Sequence, residues 1–227
     1  MTLTKCLKYT KYINVTILVT IDTKMITILK PGYSKIMALF YTDKSVKLHL
    51  REIARKASLH EPSTTRFLHA LEKEGILKSE KDGNQKKYSI KNNYKTFAVF
   101  QLFDLERLNS LPSIRKSAIK YYLEALQEKP VIALIFGSTS KDTFREGSDI
   151  DILLITNSKA DTKEAERNAE ALAGIKISTF QIPLKTFLKE LKLREEPVIQ
   201  AALTTGYPIT NHIYFYEELL HEHQVFA

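Results

Sequence analysis

The stretch Val131-Ile132-Ala133-Leu134-Ile135-Phe136-Gly137-Ser138, with the later run Ser148-Asp149-Ile150-Asp151-Ile152-Leu153-Leu154-Ile155, decides how the second half of this chain is read. The unbroken apolar residues after Lys129-Pro130 predict a buried strand that stops at Gly137-Ser138. A glycine lets the backbone turn closely around a ligand. Placed between a strand and a helical turn, its neighbouring amides and the Ser138 hydroxyl would point at phosphate oxygens. In the second run, alternation puts Asp149 and Asp151 on one strand face and sends Ile150 and Ile152 into the core. Two carboxylates about 7 Å apart on a face flanked by Leu and Ile repel and desolvate each other. A divalent cation removes that penalty. Mg²⁺ accepts one or two protein carboxylates and fills its octahedron with water and phosphates, which matches what this strand offers. Gly-Ser after a strand is commonly an ordinary turn and Asp-x-Asp alone a solvated strand edge, so the inference rests on the two occurring together.

Jointly, the apolar strand, Gly137-Ser138, a polar loop and Ser148-Asp149-x-Asp151 opening a second apolar strand resemble the DNA polymerase beta-like nucleotidyltransferase superfamily. In form they are similar to the minimal nucleotidyltransferase domains, whose loop begins Gly-Ser and closes with Ser-Asp-x-Asp. The resemblance implies a small mixed-sheet domain over residues 129–227. It implies that Gly137 and Ser138 hold a nucleoside triphosphate and that Lys141, where such domains often carry Arg, adds charge near the phosphates. Asp149 and Asp151 would be both catalytic residues and ligands of Mg²⁺, or of Mn²⁺ in its place. The reaction implied is in-line attack of an acceptor hydroxyl on the α-phosphorus with pyrophosphate leaving, assisted by two metal ions. One feature departs from the pattern. Active members place a third carboxylate on a later strand, and the strand expected at Lys176–Ile182 offers Ser178 and Gln181 but no acid. Glu190, Glu195 and Glu196 follow, in patterns read as helical. His221-Glu222-His223 reads as a polar tail.

Upstream, Ser34–Tyr41 and Arg51–Ala57 carry apolar residues at helical spacing, and His60–Gly75 supplies a third helix, with Pro62 suited to its first turn and Gly75 to its end. Ile76–Ser79 and Lys87–Lys91 alternate like strands around the turn Lys81-Asp82-Gly83-Asn84. Three helices and a hairpin over residues 33–92 resemble a winged helix-turn-helix. By that resemblance the third helix enters the major groove of DNA, presenting Thr64, Thr65, Arg66 and His69, while Lys81, Lys86 and Lys87 of the wing meet phosphates. Residues 93–128 predict two linking helices broken at Leu111-Pro112, whose aromatic residues suit core or homodimer packing. The fold class expected is therefore mixed α and β: a winged helix-turn-helix domain joined by a helical linker to a small mixed-sheet nucleotidyltransferase domain.

Charge divides along the same line. Residues 1–129 hold 24 Lys and Arg against 12 Asp and Glu, and the remainder 10 against 14, within a formal net charge of +8. A basic first part suits a polyanion partner. A single cysteine, Cys6, excludes an internal disulfide framework and a multi-thiolate zinc site and fits a cytoplasmic protein. The apolar run Tyr12–Ile21 is too short and polar to span a bilayer, so no membrane partner is expected, and residues 1–32 read as an N-terminal extension of uncertain structure. Two functions compete. One is a Mg²⁺-dependent nucleotidyltransferase acting on a protein, RNA or small-molecule hydroxyl. The other is a DNA-binding regulator with a degenerate nucleotide-binding domain, and a toxin–antitoxin component would combine the two.

Overall fold

The computed structural model describes residues 30–222. Cys6, the Tyr12–Ile21 run and nearly all of the N-terminal extension lie outside them, as do the side chains of His221-Glu222-His223. The chain forms two compact units: one ends at Ala70 and regains Glu80–Tyr88, and the other comprises Leu71–Ser79 and the chain from Ser89 onward.

The first unit is helical with a β-wing. Its elements are α1 (Pro31–Thr42), β1 (Leu48–His49), α2 (Leu50–Ala57), most of α3 (Glu61–Lys73) and the outer part, Glu80–Tyr88, of the hairpin formed by β2 (Leu77–Asp82) and β3 (Gln85–Ile90). Ile36, Met37 and Phe40 of α1 meet the core together with Ile53, Ala54 and Ala57 of α2, while Arg51, Arg55 and Lys56 stay exposed. α2 stops where Ser58 turns left-handed and returns its N–H to Ala54 and Arg55 carbonyls. β1 pairs antiparallel with β3 through Leu48↔Tyr88 and His49↔Lys87, giving the sheet order β1-β3-β2. At the wing tip Gly83, with φ +59°, takes the first position of a tight hairpin turn, a place where L side chains are strained. These elements match the helices and hairpin expected from the sequence, with both strands of the wing longer than their alternation suggested.

The second unit is built on a four-stranded sheet, order β6-β5-β4-β7. Its elements are α4 (Tyr94–Ser110), α5 (Ser113–Ala125), β4 (Ile132–Phe136), the single turn α6 (Gly137–Ser140), β5 (Ile150–Thr156), α7 (Lys163–Ala173), β6 (Ile177–Pro183), α8 (Leu184–Leu193), α9 (Pro197–Thr205), β7 (Tyr207–Pro208) and α10 (His212–Glu222). β4 runs antiparallel to β5 and β7; β6 runs parallel to β5, reached by the α7 crossover. On one face Ile135, Ile150, Ile152 and Leu154 pack with Ala118, Ile119 and Tyr122 of α5 and with Ala165, Ala169 and Ala173 of α7. The alanine stripe lets α7 approach closely. On the other side, α8 and α9 contact the sheet strands, and an aromatic chain runs from Phe187 through Phe215 and Tyr216 to Phe100, with ring centroids 5.1–6.5 Å apart. Leu71–Ser79 belongs to this unit: Thr96 Oγ1 donates to the Ile76 carbonyl at 3.1 Å and Asn93 Nδ2 to that of Gly75 at 2.7 Å. Among the described residues no helix is long and apolar enough to cross a membrane.

Candidate functional site

β4 and β5 carry the two halves of the site side by side, because their register pairs Phe136 with Asp151. Gly137, the next residue, has φ +68°, and a Cβ built on it would collide with Asp151 Oδ2. Glycine is therefore required twice over, for its left-handed backbone and for the carboxylate lying against it. Asp149 precedes β5 and Asp151 lies within it, while Ile150 and Ile152 between and beyond them are fully buried. Burial pushes the Asp151 carboxyl above its ordinary value, and the charge of Asp149 raises it further. Ser138 follows Gly137 in α6, half-buried, and its hydroxyl has no hydrogen-bond partner among the described residues. Lys141 ends that turn, exposed.

Across the sheet, the parallel register sets Ser178 level with Asp151 and Gln181 level with Leu154. Ser178 is exposed and sits laterally beside the acid. Gln181, three positions on, is not at the site. Lys176 lies just before β6, with Nζ 3.5 Å from Asp149 Oδ2. Among the described residues no group of three acid, histidine or cysteine side chains is placed to hold a metal. Glu190 is occupied elsewhere, since its carboxylate accepts the backbone N–H groups of Glu195 at 3.1 Å and Glu196 at 2.9 Å, closing the entry to α9. Glu195 and Glu196 are not helical, as their pattern had suggested, but form the link between α8 and α9.

Two arginines that sequence reasoning passed over hold the loop between the motif halves. Arg115 of α5 is 3% exposed; it donates to Thr139 Oγ1 at 2.9 Å and to the Ser148 carbonyl at 2.8 Å, and its guanidinium lies 3.9 Å from the Phe144 ring centroid. It thus grips the loop at both ends and in the middle. Burial lowers its pKa, yet an arginine stays charged inside proteins. Arg107 of α4 donates to the Ser140 carbonyl at 2.7 Å and the Thr205 carbonyl at 3.1 Å while stacking on Tyr207. The signal was present: Arg115 occupies a core-facing position three and four residues before Ala118 and Ile119, where an apolar side chain was due.

In the winged helix, Thr65, Arg66 and His69 are exposed on α3. Thr64 is a correction. It is fully buried and its hydroxyl donates back to the His60 carbonyl at 3.0 Å, so it belongs to the helix interior and not to the contact face. On the wing Lys81 and Lys86 are exposed, whereas Lys87 is ion-paired with Asp82 at 2.5 Å, which holds that carboxyl below its ordinary range. Lys86 lies 5.2 Å from the Tyr88 ring centroid.

Comparison with known proteins agrees with this division. Residues 117–212 match the family model Polymerase beta, Nucleotidyltransferase, and residues 34–88 match the MarR family. No curated protein matches the chain. Among solved structures, that of TrmBL2, an archaeal chromatin protein described as showing a novel mode of DNA binding, is 21% identical over 80% of this chain and 74% of its own, with a TM-score of 0.24, too loose a superposition to bear on function. The chain therefore joins an N-terminal winged helix-turn-helix domain of the MarR type to a small mixed-sheet domain of the polymerase beta nucleotidyltransferase type.

Proposed function

We propose that this protein is a cytoplasmic nucleotidyltransferase that binds a nucleoside triphosphate with Mg²⁺ or Mn²⁺ and carries a DNA-binding winged helix. One observation carries the reading most: the Asp151 carboxylate rests against the left-handed Gly137 backbone, so the phosphate-type turn and the acid pair form one site. The residues fit a divalent cation. The half-buried Asp151 carboxylate, its proton affinity raised by burial and then by Asp149, has no ion-pair partner among the described residues, since Lys176 stands beside Asp149. Asp149 and Asp151 would hold the ion, and the Gly137-Ser138 turn, the free Ser138 hydroxyl and Lys141 would receive the phosphates. When bound, the ion would supply charge neutralisation for a leaving pyrophosphate. Arg115 and Arg107 tie the loop to α5 and α4, which would preorganise the turn for phosphates. The acceptor would be a hydroxyl of a protein, RNA or small molecule.

The test is incubation with Mg²⁺ and each α-labelled triphosphate against panels of protein and RNA acceptors, with Asp149→Ala/Asp151→Ala as control. Pyrophosphate release that disappears in the control is the result expected. Absence of release with every acceptor class, beside intact triphosphate binding, favours a second reading in which the domain senses nucleotide and the protein is a DNA-binding regulator. The neutral Ser178 at the position level with Asp151 favours that reading, as does the exposed set Thr65, Arg66 and His69. A chain with both activities would also serve as a toxin–antitoxin component acting on a partner protein or RNA.

A further inference from the structure

The edge of the acid pair facing β6 is lined in an unexpected way. Ile150 pairs with Ile177 and Asp151 with Ser178, and the Ile150 N–H donates to the Lys176 carbonyl at 3.0 Å. Extending that register by one residue sets Lys176 level with Asp149. Alternation then places Lys176 and Ser178 on the same face as Asp149 and Asp151. Each acid has one neighbour across from it, the cation of Lys176 just before β6 for Asp149 and the neutral hydroxyl of Ser178 on β6 for Asp151. Lys176 Nζ sits 3.5 Å from Asp149 Oδ2, with both side chains substantially exposed at 63% and 41%. Its ammonium is thus held near the acids by charge but not locked there by packing, and its long stem can swing toward a phosphate.

We propose that the site takes a single divalent cation with its triphosphate, and that Lys176 supplies, beside Asp149, the positive charge a second cation would bring. The inference rests on the nucleotide-binding reading above. Two carboxylates are enough for one Mg²⁺ completed by water and phosphate oxygens. A second ion on the β6 side would meet the ammonium of Lys176 and find no further carboxylate of the protein, because the neighbour of Asp151 there is Ser178. Lys176 has two roles with opposite consequences. In the absence of nucleotide it competes with the cation for Asp149; with nucleotide present it turns to the phosphates and strengthens the complex.

The opposite signs make the test. Mn²⁺ binding to the full chain is followed by electron paramagnetic resonance, first alone and then with α,β-methylene triphosphates of the four common bases, whose affinities at saturating Mn²⁺ are measured by calorimetry. One Mn²⁺ per chain is expected in the ternary complex. Lys176→Met should tighten Mn²⁺ binding without nucleotide by roughly two- to fivefold, the scale of an exposed ion pair. The same variant should weaken the triphosphate by about threefold or more through the lost charge, while Lys176→Arg preserves both affinities. Two Mn²⁺ per wild-type chain, or a triphosphate affinity unchanged or improved in Lys176→Met, overturns the proposal and leaves the nucleotide reading intact. If Asp149→Ala/Asp151→Ala binds Mn²⁺ and triphosphate as the wild type does, or the wild type binds neither, the nucleotide reading itself fails and this inference falls with it. Lys176 is exposed, so its variants should fold, as circular dichroism would check.

Discussion

At Gly137 a single hydrogen in place of a side chain joins two requirements. A left-handed φ of +68° costs an L-residue about 1–2 kcal/mol, and any Cβ would also drive the Asp151 carboxylate from its place. Gly137→Ala should therefore lower stability by roughly 1–3 kcal/mol in urea unfolding and weaken Mn²⁺ binding as well. A loss of stability with Mn²⁺ affinity unchanged would separate the turn from the site. Asp151 gives a pH dependence of definite sign. Its carboxyl titrates above its ordinary value in the folded chain, from burial first and Asp149 second, so the folded state binds this proton more tightly than the unfolded state does. Stability from this group is therefore greatest below the unfolded value, falls as pH rises between the two values, and stays lower at neutral pH. Asp151→Asn should accordingly raise the melting temperature of the metal-free protein at pH 7, a gain that shrinks as the medium is brought below about pH 4. A gain that persisted at acid pH would point to packing instead of charge.

Among the elements, the loop from α6 to β5 depends most on residues distant in the chain. Arg115 reaches it from α5 with two hydrogen bonds and an aromatic stack, almost wholly out of water and with only neutral partners. Removing it would leave the Thr139 hydroxyl and the Ser148 carbonyl to find new partners. Arg115→Ala is expected to cost roughly 2–4 kcal/mol in chemical denaturation. Arg115→Lys should recover little of that, because an ammonium cannot span both acceptors with the planar fork. This element also shows where sequence reading succeeds and stops. The strands at β4 and β5 were legible because an unbroken apolar run and a period-two alternation each have few structural solutions, and the same logic found the helices and the wing. What escaped depends on long-range register. Nothing local to Lys176 tells that a parallel strand will set it beside Asp149, and Arg115 meets its partners 24 and 33 residues away. Thr64 and Thr65 are adjacent and alike in chemistry, yet a rotation of about 100° along the helix buries one and exposes the other.

For the whole molecule the decisive property is the partition of charge, with the basic excess confined to residues 1–129 and the remainder slightly acidic. A polyanion bound through that excess releases counterions, so its affinity must fall linearly with the logarithm of salt, by a slope that counts the phosphates neutralised. The wing lysines should not count equally. Lys87 already shares its charge with Asp82, whereas Lys81 has no ion-pair partner among the described residues. Binding a phosphate at Lys87 requires giving up or sharing that pair, so less net charge meets the DNA. Lys81→Ala and Arg66→Ala should each reduce the salt slope for duplex DNA by about one, and Lys87→Ala by distinctly less. Thr64→Val, which alters a buried helix residue, should leave the slope unchanged. Fluorescence anisotropy across a salt series of roughly 50–300 mM would read all four. Equal losses at Lys81 and Lys87 would mean that the Lys87–Asp82 pair does not persist in solution. No loss at Arg66 and Lys81 together would remove this face of the winged helix as the surface that meets DNA.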